Sequence, residues 1–312
     1  MCIEESNIVM YDRTLDNNLL IKKFKELSEK NERGLICYAL PGYPNYDYTN
    51  KNNNDDYHDH NNTTLQIVSA MVEAGADIIE LAIPFSDPIA DGPIIQEASY
   101  QSLKAGTTPQ MCLKIAQKIR TRYPQLPILV ITYSNILFKL GFENFIKKSC
   151  EIGINGFIIP DLSIEEADEY IKEASRLELA TIFLASPNTN EIRLRSIASK
   201  SSGFLYLVSV YGTTGIRKSI DSYTIDTIKI VKKTLGKTIP LAVGFGISKP
   251  LHGKVMINAG ADAIIVASAL INIINKRKDN NDDNNNDDNT QMLEQIQSFV
   301  ASMKNVCRIE NS

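Results

Sequence analysis

The chain has 312 residues, 43% of them hydrophobic, enough for one large core and within reach of a single barrel domain. A net charge of −4 offers no field for nucleic acid or an anionic membrane, and no apolar run approaches the roughly 18 residues of a membrane helix. Five scattered cysteines, without C-x-x-C spacing, read as reduced thiols rather than a disulfide frame or a zinc site, and no metal is expected. The first residues carry Glu4, Glu5, Asp12 and Asp16 and no apolar core, so neither a signal peptide nor a transit peptide is read there. With three histidines in all, acid–base chemistry must rest mainly on carboxylates or tyrosines.

Leu20, Phe24 and Leu27 follow helical spacing and predict a leading helix that stops before Gly34. A first strand, 35–40, is closed by Pro41-Gly42. Residues 45–62 turn to Asn, Asp and Tyr, which cannot build a core, and are read as a disordered insertion; its His58 and His60 are read as solvated filler. A helix over 65–74 leads into a second strand, 78–83. Helices at 109–123, 142–152, 164–177, 191–199, 223–235 and 251–259 then precede strands at 128–132, 156–159, 181–184, 204–208, 241–243 and 263–266. Eight strands alternating with helical sequence predict an α/β fold, a closed (β/α)8 TIM barrel, as one domain over 1–312. A second Asn/Asp-rich insertion is expected at 277–290, before helical spacing resumes at Leu293, Ile296, Val300 and Met303.

The most informative stretch runs from Asp77 to Pro93. Residues 78–83 are apolar except for Glu80, as in a strand buried on both faces. A side-chain period of two puts Ile78, Glu80 and Ala82 on one face. A carboxylate there must be paired, solvated at the strand end or partly protonated, and burial raises its pKa toward neutrality. Ser86-Asp87-Pro88 and Asp91-Gly92-Pro93 are tight turns that return two carboxylates to the strand end; from these residues alone, Asp87 and Asp91 fit a turn role equally well.

Active sites of such barrels lie at the C-terminal ends of the strands, where Glu80, Asp91, Tyr133, Asn135, Asp161 and Tyr206 stand. The last three connections hold Gly212 to Gly215, Gly244 and Gly246, and Ala267-Ser268 at a helix start. Unencumbered backbone N–H groups beside a helix N-terminus suit a phosphate.

The run from Glu80 to Gln96 resembles the signature of the tryptophan synthase alpha chain family. Tyr133-Ser-Asn135, Pro160-Asp-Leu162, Ser186-Pro-Asn188, Gly212-Thr-Thr-Gly215 and Gly244-Phe-Gly-Ile-Ser248 match it in order, as does the tail from Gln291 to Lys304. The resemblance implies retro-aldol cleavage of indole-3-glycerol phosphate to indole and glyceraldehyde 3-phosphate, with no cofactor in this chain. It implies Glu80 and Asp91 as catalytic residues and Tyr133, Asp161, Tyr206 and Thr214 as substrate-binding residues. It implies Gly215, Gly244, Gly246, Ala267 and Ser268 as phosphate-binding residues. It also implies a beta chain bearing pyridoxal phosphate, in an alpha2beta2 assembly that the Asp87-Pro88 turn touches. A cytoplasmic location is expected, or a plastid stroma if the gene is organellar. The alternatives are a free-standing lyase that releases indole and a catalytically weak activator of a beta chain. A Schiff-base aldolase is disfavoured, since no lysine lies on a predicted strand. Ala82, Phe204 and Ala267 depart from the family pattern, which has glycine, tyrosine and glycine there.

Overall fold

The computed structural model describes residues 15–44, 63–208, 222–244, 246–276 and 285–308. Helix α1 (Leu19–Glu29) leads into β1 (Gly34–Ala39), α2 (Thr63–Glu73) and β2 (Ile78–Ala82). Two helices, α3 (Pro93–Lys104) and α4 (Pro109–Arg122), separate β2 from β3 (Ile128–Ile131). Two more, α5 (Ser134–Leu140) and α6 (Phe142–Ile152), precede β4 (Gly156–Ile158). Then come α7 (Asp168–Arg176), β5 (Ala180–Ile182), β6 (Leu184–Ala185), α8 (Glu191–Lys200) and β7 (Leu205–Val208). The chain closes with α9 (Ser222–Leu235), β8 (Leu241–Gly244), α10 (Pro250–Asn258), β9 (Ala263–Val266), α11 (Ser268–Asn275) and α12 (Asn285–Cys307).

The described strands pair in the order β5-β4-β3-β2-β1-β9-β8-β7-β6, and each pairing is parallel. The two edge strands are consecutive in the chain, joined through Phe183, so that one stretch begins the sheet and ends it. The strand expected at 181–184 is therefore the barrel's seam, split into β5 and β6. This is the predicted TIM barrel.

Side-chain alternation builds two layers. Ile36, Ile78, Leu129, Ile158, Ile182, Ala242 and Ile265 point into the barrel and pack on one another. Their neighbours, such as Cys37, Ile79, Val130 and Phe157, pack outward against the helices. Leu20 and Phe24 of α1 join the inner cluster, with the Phe24 ring 5.8 Å from that of Phe204. Each buried side chain of that size contributes roughly 1.5–3 kcal/mol, so α1 is held as part of the barrel's own core. Phe204 is fully buried there, and its packing accounts for an apolar ring at that position.

Three features differ from the sequence reading. Helix α3 starts at once after the Asp91-Gly92 turn: Gly92 is its N-cap, and Pro93 occupies the first turn, where its missing N–H is no loss. Helix α5 is likewise additional to the predicted set. Residues 285–290, expected within the second insertion, belong to α12. The first insertion, 45–62, lies outside the described residues, as do 277–284.

Candidate active site

At the C-terminal end of the strands a cavity of about 260 Å³ is walled by Glu80, Asp91, Tyr38, Tyr206, Gly244, Gly246, Ala267 and Ser268, among others. That volume is close to the lower end of small-molecule pockets, about 300 Å³. Ile131, Leu184 and Ile265 give it an apolar lining fit for a flat aromatic ring.

Glu80 sits in the middle of β2 and is 1% exposed. Its Oε2 is buried without a hydrogen-bond partner. Loss of solvation, and secondarily the Asp91 carboxylate, push its pKa up to about 8. A carboxyl in that state is protonated at neutral pH and can hand a proton to something in the cavity.

Asp91 is half-buried and more firmly held. Its backbone N–H donates to Pro88 O at 3.0 Å, and Gln96 Nε2 donates to its carbonyl at 2.8 Å, which fixes the turn before α3. The Tyr133 hydroxyl donates to Asp91 Oδ2 at 3.1 Å. Burial raises the Asp91 pKa to about 6, and the tyrosine bond restrains the rise. The two carboxyls thus occupy opposite protonation states at neutral pH, one an acid and one a charged acceptor.

Two expected substrate contacts stand behind the cavity wall. Tyr133 stacks on Phe85, ring centroids 5.0 Å apart, and its hydroxyl accepts from Ala90 N–H as well as serving Asp91. Asp161 caps α5: its Oδ1 accepts from Ser134 N–H at 2.9 Å and its Oδ2 from Ser134 Oγ at 2.7 Å. That cap fixes the start of α5, hence Tyr133, hence Asp91.

Tyr206 projects from β7 over Gly244, where an added Cβ would stand 2.8 Å from the ring. Glycine is needed there by this close approach. Gly246 has a φ of +57°, which also favours glycine. Ala267 is the N-cap of α11, and Ser268 is its first residue. The first-turn N–H groups of a helix have no intrahelical partner and suit an anion. Thr214 and Gly215 lie outside the described residues. Ala82, where the family pattern has glycine, is buried and is not among the residues that wall the cavity.

Tyr38 was not among the expected site residues. It lies opposite Glu80 in the β1–β2 register, 3% exposed, and burial with the two carboxylates pushes its phenol well above its usual range. Alternation from Ile36, an inward residue, was the available signal. Among the described residues no group of three or more His, Cys, Asp or Glu is placed to hold a metal, and no helix is long and apolar enough to cross a membrane.

A family model described as tryptophan synthase alpha chain matches residues 24–308. The tryptophan synthase alpha chain of Methanosarcina barkeri is 40% identical over 264 residues, covering 85% of this chain and 92% of that one. That of a Thermoanaerobacter species is 37% identical over 289 residues, covering 93% and 99%. The crystal structure of the alpha chain from Legionella pneumophila superposes with a TM-score of 0.79 at 26% identity, covering 95% of this chain and 99% of that one. The Mycobacterium tuberculosis tryptophan synthase structure gives 0.77 at 26% identity, covering 93% and 98%.

Proposed function

The chain belongs to the tryptophan synthase alpha chain family, a lyase of tryptophan biosynthesis, and we propose that Glu80 and Asp91 divide the proton work of its reaction between them. That reaction cleaves indole-3-glycerol phosphate to indole and glyceraldehyde 3-phosphate. The carbon–carbon bond can break only when the indole ring accepts its electrons. Protonation of ring carbon 3 makes the ring such a sink, at the expense of a positive charge shared with the ring N–H. Protonated Glu80 donates that proton, and the Asp91 carboxylate accepts the ring N–H and stabilises the cation. Glu80, now ionised, takes the proton of the glycerol hydroxyl next to the breaking bond. The bond electrons return to the ring, indole is restored, and the new carbonyl leaves as the aldehyde. Protons balance, and Glu80 ends as it began.

The single observation that carries this assignment is the buried, unpartnered Glu80 carboxyl, with its pKa near 8, on one cavity wall with Asp91. In the same proposal Tyr206 contacts the substrate. Gly244, Gly246, Ala267 and Ser268 receive the phosphate, joined by Gly215, and Thr214 completes the substrate contacts.

The partner in this reading is a tryptophan synthase beta chain carrying pyridoxal phosphate, in an alpha2beta2 assembly; this chain supplies no cofactor. Its support is the likeness to the Mycobacterium tuberculosis tryptophan synthase. The turn between β2 and Asp91 supports it further, since it carries Ile89, 80% exposed, into the cavity rim. A partner covering Ile89 would shield Asp91 and exclude water. The location in this reading is the cytoplasm, in keeping with the unbridged Cys37, Cys112, Cys150 and Cys307. The test is indole release from indole-3-glycerol phosphate by the purified chain. Slow turnover alone and acceleration above tenfold with a beta subunit are expected; no indole under either condition overturns the assignment.

A further inference from the structure

Helix α10 begins on a weak cap. Lys249 is the N-cap residue and its side chain makes no capping bond, while Pro250 at the first helical position has no N–H to satisfy. The third helical residue, His252, reaches back instead: its Nδ1 accepts from the Ser248 N–H at 3.4 Å. Glu or Gln at that position closes a capping box in the same way. Here an imidazole does so, and it grips the residue before the cap. The hydroxyl of Ser248 does not help hold the turn, because its Oγ is buried without a hydrogen-bond partner. Two residues earlier the same turn forms the cavity wall through Gly246, with its left-handed φ, and Ile247.

We propose that His252 is a positioning residue for the phosphate end of the cavity: by accepting the Ser248 N–H it holds residues 246–248 in the conformation that receives the substrate phosphate. The inference rests on the phosphate reading given above. His252 touches no substrate and acts through the backbone of this turn.

The bond requires a neutral ring with its proton on Nε2. A second proton on Nδ1 would set donor against donor and release the turn. His252 is 4% exposed, and burial, with Lys249 on its own cap, keeps its pKa below the usual imidazole range. Helix α10 packs against α9, α12 and β9. Beside Gly253 stand Ile264 of β9 and Met303 and Val306 of α12. Lys304 of α12 is engaged by Asp77 and Glu32, and Lys232 of α9 by Asp262. The turn is therefore held at neutral pH and loosens in acid.

The experiment measures calorimetric binding of glycerol 3-phosphate, with glycerol as control, to the full chain and to His252→Asn and His252→Leu. Asn places an amide oxygen about where Nδ1 stands; Leu has no acceptor. At pH 8 the Leu variant should bind roughly three- to tenfold more weakly, the worth of one neutral hydrogen bond, and the Asn variant within about twofold of wild type. In turnover the Leu change should fall on KM more than on kcat. As pH is lowered, wild type should lose affinity relative to the Asn variant; ligand protonation is common to both and cancels in the ratio. Leu binding as wild type, Asn binding as weakly as Leu, or a ratio flat with pH each overturns the proposal. If the Leu variant fails to fold, the pH dependence of the wild type to Asn ratio decides alone. Wild type that binds glycerol 3-phosphate no better than glycerol overturns the phosphate reading itself. Tight wild-type binding with an indifferent Leu variant overturns the role of His252 only.

Discussion

The Tyr133 hydroxyl donates to Asp91 Oδ2 at 3.1 Å while accepting the Ala90 N–H at 3.2 Å, so one phenol fixes both the carboxylate and the turn that carries it. The bond favours the charged form of Asp91 and restrains a pKa that burial has raised to about 6. Tyr133→Phe should therefore move the acid limb of the rate profile to higher pH. At pH 7 it should lower kcat/KM about three- to tenfold, the scale of one hydrogen bond. An acid limb that stays in place would return Tyr133 to a packing role.

The split between the two carboxyls fixes a pH dependence. Activity requires Asp91 ionised and Glu80 protonated, so kcat/KM should rise through about 6, fall through about 8 and peak between. Stability follows the opposite logic to an ordinary ion-paired carboxylate. The folded-state pKa of Glu80 lies above its usual 4.5, so between 4.5 and about 8 the folded state binds more protons than the unfolded one. Stability is then lost as pH rises through that window. Glu80→Gln removes this penalty, and its Tm relative to wild type should improve from pH 5 to pH 9. A constant difference across that range would contradict a buried, protonated Glu80.

At the opposite end of the barrel Lys304 is 6% exposed and pairs with Asp77 at 2.9 Å and Glu32 at 3.1 Å, tying α12 to the start of β2. Asp77 also accepts the Leu35 N–H. Lys304→Met strands a buried carboxylate and should cost about 3–5 kcal/mol in urea unfolding. Adding Asp77→Asn should recover part of that loss, since an amide oxygen can still serve Leu35. Full additivity of the two changes would show that the pair is not coupled.

Ala267 stands at the N-cap of α11, on the cavity wall, where the family pattern has glycine. Ala267→Gly should leave the affinity for glycerol 3-phosphate equal or better, and indole glycerol without the phosphate should bind much more weakly than the true substrate. A clear loss of phosphate affinity in Ala267→Gly would show that the methyl group supports this helix start rather than crowding it.

The barrel was legible because its signal is redundant: eight apolar runs alternate with helical spacing, and a boundary misplaced by a residue or two does not alter the topology. Glu80 was legible for the opposite reason, as one charge inside a strand with no local partner. Asp161 and Tyr133 were found as polar groups at strand ends, but what they touch depends on α5, a seven-residue helix too short to show a clear period. Tyr38 escaped notice because a tyrosine inside an apolar strand looks like core until β1 is set in register against β2. The reach of His252 back to Ser248 depends on where α10 begins, and the sequence placed that boundary at residue 251 instead of 250.

The most direct test of the central claim is the rate of indole formation from indole-3-glycerol phosphate, at pH 7, by wild type and by Glu80→Gln. Gln keeps the shape and removes the proton. The account predicts a rate lower by about 10²–10⁴, the range for a lost general acid–base group, with glycerol 3-phosphate binding unchanged. Indole formation within tenfold of wild type would contradict it.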